Sequence, residues 1–129
     1  MSESPVYNLV PHSRAAGHLC APFFVLHHRS LRAAGVDARL LITVPLGRYL
    51  RMRTCWELSF EGEFIRHIPY LPVPRRSVRQ KLRATSRYLA TQPPGIVHGH
   101  ILHEEGWIAS AAVRRLRRRV PTWRSISSA

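Results

Sequence analysis

Lysine is almost missing from this chain. Lys81 stands alone beside nineteen arginines, and only seven carboxylates oppose them, which leaves a formal net charge of +13 over 129 residues. Cysteine is scarce as well. Cys20 and Cys55 are too few for a disulfide framework, and no signal-peptide pattern precedes them, so a reducing cytoplasm is the expected compartment. No apolar run approaches the roughly 18 residues of a membrane-spanning helix, so any membrane contact is expected to be peripheral, at the inner face. Internal repeats and low-complexity blocks are missing too, and residues 1–129 read as a single domain.

What is present is ordinary in bulk: 45% apolar and 21% charged residues, the balance of a globular unit large enough for one core. The charge is not ordinary. A field of this sign favours nucleic acid, phospholipid surfaces or phosphorylated substrates. The opposing reading is compositional: arginine in place of lysine reflects a GC-rich coding sequence and fills solvated faces. Both stay open. No RNP-like aromatic pattern, helix-turn-helix or zinc finger accompanies the arginines, so sequence-specific nucleic-acid binding is not expected.

Val6 to Val10, ahead of Pro11, reads as a buried strand, and Pro11 to His18 as a loop. A helix fits Cys20 to Ala34. Phe23, Phe24, His27, Leu31 and Ala34 share one side, Arg29 and Arg32 lie opposite, and Gly35 stands where a C-cap belongs. On that phase His27 is a core histidine. Ala38 to Val44 is a second strand, bounded by Pro45 and Gly47. Trp56 to Phe60 and Phe64 to Ile68 read as short strands around a turn, and Tyr70 to Pro74 as extended, because two prolines fix φ and remove donors.

Ser77 is placed to N-cap a helix reaching Ala90, with Val78, Leu82, Thr85 and Leu89 on the apolar face and Arg79, Arg83 and Arg87 around the other. After Pro93 and Pro94 come a strand at Ile96 to His98, a helix at Glu104 to Leu116, and a last strand at Thr122 to Ile126. Glu104 and Glu105 fall at the positive end of their helix, where a capping role is expected. The order β-α-β-(β)-α-β-α-β, with long crossovers, predicts an α/β fold. It is a Rossmann-like open, mostly parallel sheet with helices on both faces and its strands mostly buried.

Titratable side chains concentrate between Gly95 and Trp107, where a short strand runs into His98, His100, His103, Glu104 and Glu105. Strand ends of a parallel sheet aim side chains into the crevice above it. The spacing His98-x-His100-x-x-His103 is similar to the His-x-His-x-Asp-His zinc motif of metallo-β-lactamase-like hydrolases. Leu102 occupies the aspartate position, and no remaining ligand set stands at conventional spacing, so no metal site is expected.

Three landmarks together resemble the N-terminal domain of a family 4 glycosyltransferase of the two-domain GT-B architecture. They are Leu31-Arg-Ala-Ala-Gly-Val-Asp-Ala-Arg-Leu-Leu-Ile42, Ile96-Val-His-Gly-His100, and Arg114-Arg-Leu116 ahead of Val120-Pro121 and a strand. The likeness spans residues 6–127. It departs from the family's pattern at three places: Gly17 is the only glycine after the first strand, Val36 replaces a histidine, and the position after the last strand falls at Ser127.

The resemblance implies sugar transfer from a nucleotide-sugar to a glycan or lipid-linked acceptor, in polysaccharide or glycoconjugate biosynthesis, with this domain handling the acceptor. His100 would orient the acceptor hydroxyl as the catalytic residue, and Ser13, Arg14, Gly17, His18, His98 and His103 would bind acceptor or substrate. The nucleotide-sugar would be held by a C-terminal donor domain or complementing subunit. The chain, read as truncated, would bind no cofactor itself and would be inactive alone.

Two further readings remain beside it. One is the His-x-His-x-x-His hydrolase-like site. The other is a basic α/β module for anionic membrane or nucleic acid. Arg75, Arg76, Arg79 and Arg83, with Tyr70, Leu71 and Val73, suit an anionic membrane on the site side, whereas Arg117 to Arg119 fall at the opposite edge, as solvated surface.

Overall fold

The computed structural model describes residues 4–11, 22–52, 65–99 and 102–127. Along them strands and helices alternate: β1 Val6–Pro11, α1 Pro22–Ala33, β2 Ala38–Pro45, α2 Leu46–Met52, β3 Ile65–Tyr70, α3 Ser77–Leu89, β4 Ile96–Gly99, α4 Leu102–Leu116 and β5 Arg124–Ser127. The strands form one sheet in the order β3-β2-β1-β4-β5. Every pairing is parallel. The fold is therefore an open, all-parallel α/β sheet flanked by helices, as the alternation of apolar runs and amphipathic stretches implies.

Pleating divides the strand residues between two faces. Tyr7, Leu9, Leu41, Ile68 and Val97 join a core cluster with Leu82 and Leu89 of α3 and Ile108, Ala109, Ala112, Val113 and Leu116 of α4. The intervening Val10, Leu40, Ile42, Val44 and Ile65 are equally buried and face the other way, where α1 and α2 pack on β2 and β3. Runs that are apolar at every position, not at alternate ones, follow from this double coverage.

Gly35 closes α1 as expected. At φ +89 it lets Val36 N–H reach Leu31 C=O and its own N–H reach Arg32 C=O, each at 3.0 Å, the paired bonds of a Schellman cap.

Five expectations are corrected. His27 is exposed, and the buried histidine of α1 is His28, at 1% exposure; the helix is rotated by one residue, and Ala34 and Leu26 also face solvent. Residues 46–52 are helical, although Pro45 and Gly47 bound the strand by sequence. The glycine has open space around its Cβ position and costs helix propensity only.

Ser77 is the first helical residue, not the cap: Arg76 holds that place without a side-chain bond, and the Ser77 hydroxyl donates to Val73 C=O at 3.1 Å. The extended run ends at Tyr70, and the chain turns at Pro74 to Arg76, with Arg75 at φ 63. Finally, β5 begins at Arg124, and its residues Arg124, Ser125 and Ile126 are exposed. It is an edge strand paired only with β4, and residues of both its faces are exposed. The expected strand at Trp56 to Phe60 lies outside the described residues.

Candidate functional site

The winding of the sheet reverses between β1 and β4. From β1 the chain crosses to β2 on one side, and β4 lies on the other, which makes the carboxyl ends of these two strands the topological switch point, where open α/β sheets bind ligands. Leu9 aligns with Gly99 and Asn8 with His98. Residues 12–21 and 100–101 continue from these two ends.

Neighbouring residues of β4 serve opposite faces here. His98 turns toward the α1 face beside buried Asn8. Its imidazole is pushed below the ordinary histidine range, first by burial and then by the charge of His27 on α1. It is thus a neutral ring near neutral pH, able to donate from one nitrogen and accept at the other. Gly99 turns toward α4. A Cβ there would stand 2.5 Å from the Glu105 carbonyl oxygen and 2.7 Å from Gly106 Cα, so the first turn of α4 rests directly on the strand end, an approach only glycine permits.

Next to that contact lies the chain's one lysine. Lys81 is 6% exposed. Its Nζ donates to Glu104 Oε2 at 2.7 Å and to Glu105 Oε1 at 3.3 Å, and it stands 5.2 Å from the Tyr70 ring centroid. Burial pulls the Lys81 pKa down, but the hydrogen bond to Glu104 and the charges of Glu105 and Tyr70 outweigh it and leave the pKa raised. Glu105, at 2% exposure, is pushed up by burial, which Lys81 offsets only in part while Glu104 adds to the rise. The asymmetry has a simple origin: one ammonium answers two carboxylates, whereas each carboxylate has half a cation. Tyr70 is raised by burial against the lowering pull of Lys81.

The cluster ties β3, α3 and α4 together at the carboxyl edge of the sheet. A compact ammonium with three donors suits two carboxylates converging from one helix turn better than a planar guanidinium does. Glu104 and Glu105 thus hold Lys81, a larger role than the capping expected of them.

Of the predicted site residues, His98 is the one whose side chain is described. Ser13, Arg14, Gly17, His18 and His100 lie outside the described residues. His103 is placed in the first turn of α4, with its side chain outside the description. Among the described residues no group of three His, Cys, Asp or Glu side chains is arranged to hold a metal ion, and none of their helices is long and apolar enough to cross a membrane.

Of this cluster, Lys81 is the residue that the sequence does not place in a site. The signal existed: one lysine in a chain that otherwise uses arginine throughout. Position hid it, because the expected apolar face of α3 ran through Val78, which is 37% exposed, whereas the buried set is Lys81, Leu82, Thr85 and Leu89.

These features define an open parallel α/β domain with a half-buried histidine at its switch point and a lysine–carboxylate cluster beside it. Comparison with protein-family models, curated proteins and solved structures finds no match to the chain.

Proposed function

We propose that this chain is the acceptor-side domain of a glycosyltransferase of the two-domain GT-B type, resembling family 4. One observation supports this reading best. β1 and β4 lie side by side and parallel at the switch point, so the stretch 12–21 and the stretch from His100, which this reading assigns to the acceptor, continue from neighbouring strand ends.

In this reading His98 is a neutral hydrogen-bonding group on the crevice floor. His100 orients the acceptor hydroxyl, and Ser13, Arg14, Gly17, His18 and His103 contact the acceptor. A sugar-transfer transition state is oxocarbenium-like, with negative charge growing on the diphosphate leaving group. Hydrogen-bonding and basic groups aimed there stabilise it more than the ground state. The nucleotide-sugar is supplied by a second, donor-binding domain or subunit, and near-attack geometry exists only between the two.

A lipid-linked acceptor fits the same edge, because Leu71, Val73 and Val78 are exposed there beside Arg75, Arg76 and Arg79, a mixture suited to an anionic membrane surface. Localisation would then be cytoplasmic and peripheral to the inner face of the membrane.

The experiment is an NMR titration of the chain with alkyl glycosides as soluble acceptor probes. The reading expects resonance changes centred on Asn8, His98 and Gly99, and no sugar transfer by the chain alone from any nucleotide-sugar. Changes centred away from these strand ends would overturn it. So would robust transfer by the isolated chain that His100→Ala abolishes, since that would make the single domain a complete enzyme.

A further inference from the structure

The opposite edge of the sheet carries a cavity. It has a volume of about 320 Å³ and lies where α3 and α4 end and β5 begins. Its floor is apolar, formed by Pro94, Leu116, Val120 and Trp123, and its rim carries Arg87, Arg115 and Arg119. Trp123 is 2% exposed and packs on Tyr7, with ring centroids 5.7 Å apart, so the floor is held by the core itself. Ser86 also lines the cavity, and its buried hydroxyl makes no hydrogen bond.

No carboxylate lines this cavity. The ion pairs among the described residues go to Arg32, Arg39 and Lys81, and Arg87, Arg115 and Arg119 take part in none of them. The carboxyl ends of α3 and α4 each contribute about half a negative charge, which three guanidinium groups exceed. The site therefore holds uncompensated positive charge around an apolar floor. Guanidinium groups bind phosphate oxygens in pairs of parallel hydrogen bonds, and a volume of this size is at the lower end for small-molecule pockets, too small for an extended polymer to fill.

We propose that this cavity binds a phosphomonoester whose phosphate is carried on a small apolar body. The dianion meets Arg87, Arg115 and Arg119, and the apolar body lies against Leu116, Val120 and Trp123. The site is formed by the connections entering the amino ends of β4 and β5, so it is separate from the crevice and does not depend on the glycosyltransferase reading. It also gives Arg119, expected to be mere solvated surface, a ligand to bind.

The test is calorimetric titration of the chain with phenyl phosphate, inorganic phosphate and benzyl alcohol, with the Trp123 indole N–H followed by NMR. Phenyl phosphate is expected to bind and to move the Trp123 resonance. Inorganic phosphate should bind at least about tenfold more weakly, because it leaves the apolar floor unfilled, and benzyl alcohol should not bind.

Arg115→Gln and Arg119→Gln should each weaken phenyl phosphate about tenfold through loss of a charge-assisted hydrogen bond. Arg29→Gln with Arg51→Gln, which removes two charges from α1 and α2 on the other face of the sheet, should change it less than about threefold. All these arginines are at the surface, and an unchanged thermal melt shows that the variants fold. The proposal is overturned if phenyl phosphate fails to bind at millimolar concentration, if inorganic phosphate binds equally well, or if the remote pair costs as much as the rim arginines.

Discussion

The two faces of the sheet solve the burial problem differently. Beneath α3 and α4 the interior is a continuous aliphatic and aromatic cluster, and the charges it admits are gathered into one unit, Lys81 with Glu104 and Glu105. Beneath α1 and α2 the interior is dotted with single polar groups: Asn8, His28 and His67 are buried, and His98 is half-buried. The first face is built for cohesion, since a paired ion cluster in a dry core is stable only while complete. The second carries imidazoles among its apolar side chains, and one of them, His98, stands at the switch point. The ion cluster and the buried imidazoles thus lie on opposite sides of the same strands.

Removing the cation should have the largest effect. Lys81→Met leaves Glu105 buried without its partner and should lower unfolding free energy, measured in urea, by about 3 kcal/mol or more. A loss below about 1 kcal/mol is the signature of an exposed pair, and would erase the distinction between the faces.

A smaller effect is expected from pH. The folded-state pKa of Glu105 is raised above 4.5, so the folded state favours its protonated form. Its contribution to stability is fully present below the unfolded value and is lost as pH climbs through the raised one. Glutamine does not titrate. The stability of the native chain relative to Glu105→Gln should therefore fall as pH rises from 4.5, and a difference that grows with pH would mean that Lys81 outweighs burial.

The smallest effect belongs to the other face. NMR titration should place the His98 midpoint below 6.5, and His27→Ala should raise it only partway, because burial is the larger cause. A midpoint unmoved by that change would separate α1 from the end of β4 and sharpen the contrast differently: the imidazoles would be independent, not coupled.

Much of this was readable in advance. The apolar runs at Val6, Ala38 and Ile96, each broken by proline or glycine, marked three of the strands, and the spacing of Leu82, Thr85 and Leu89 marked α3. The phase of α1 was not readable, because Phe23, Phe24, Leu26 and Leu31 give an apolar pattern broad enough to accept either His27 or His28 inside. The exposure of Ile126 was hidden as well: an apolar residue in a strand carries no mark of whether a neighbour covers it.

By itself, then, the sequence determined the alternation of parallel strands and helices, since short apolar runs and a period of 3.6 are written in local residue order and satisfied by local backbone geometry. It also determined the excess of positive charge. Only the tertiary structure decided which charges matter. Lys81 and Glu105 are 24 residues apart, and they meet only because α3 and α4 pack on one face. Arg87 and Arg119 share a cavity only because two helices end at the same edge. Burial and pairing are properties of contacts between distant segments, and no local pattern encodes them.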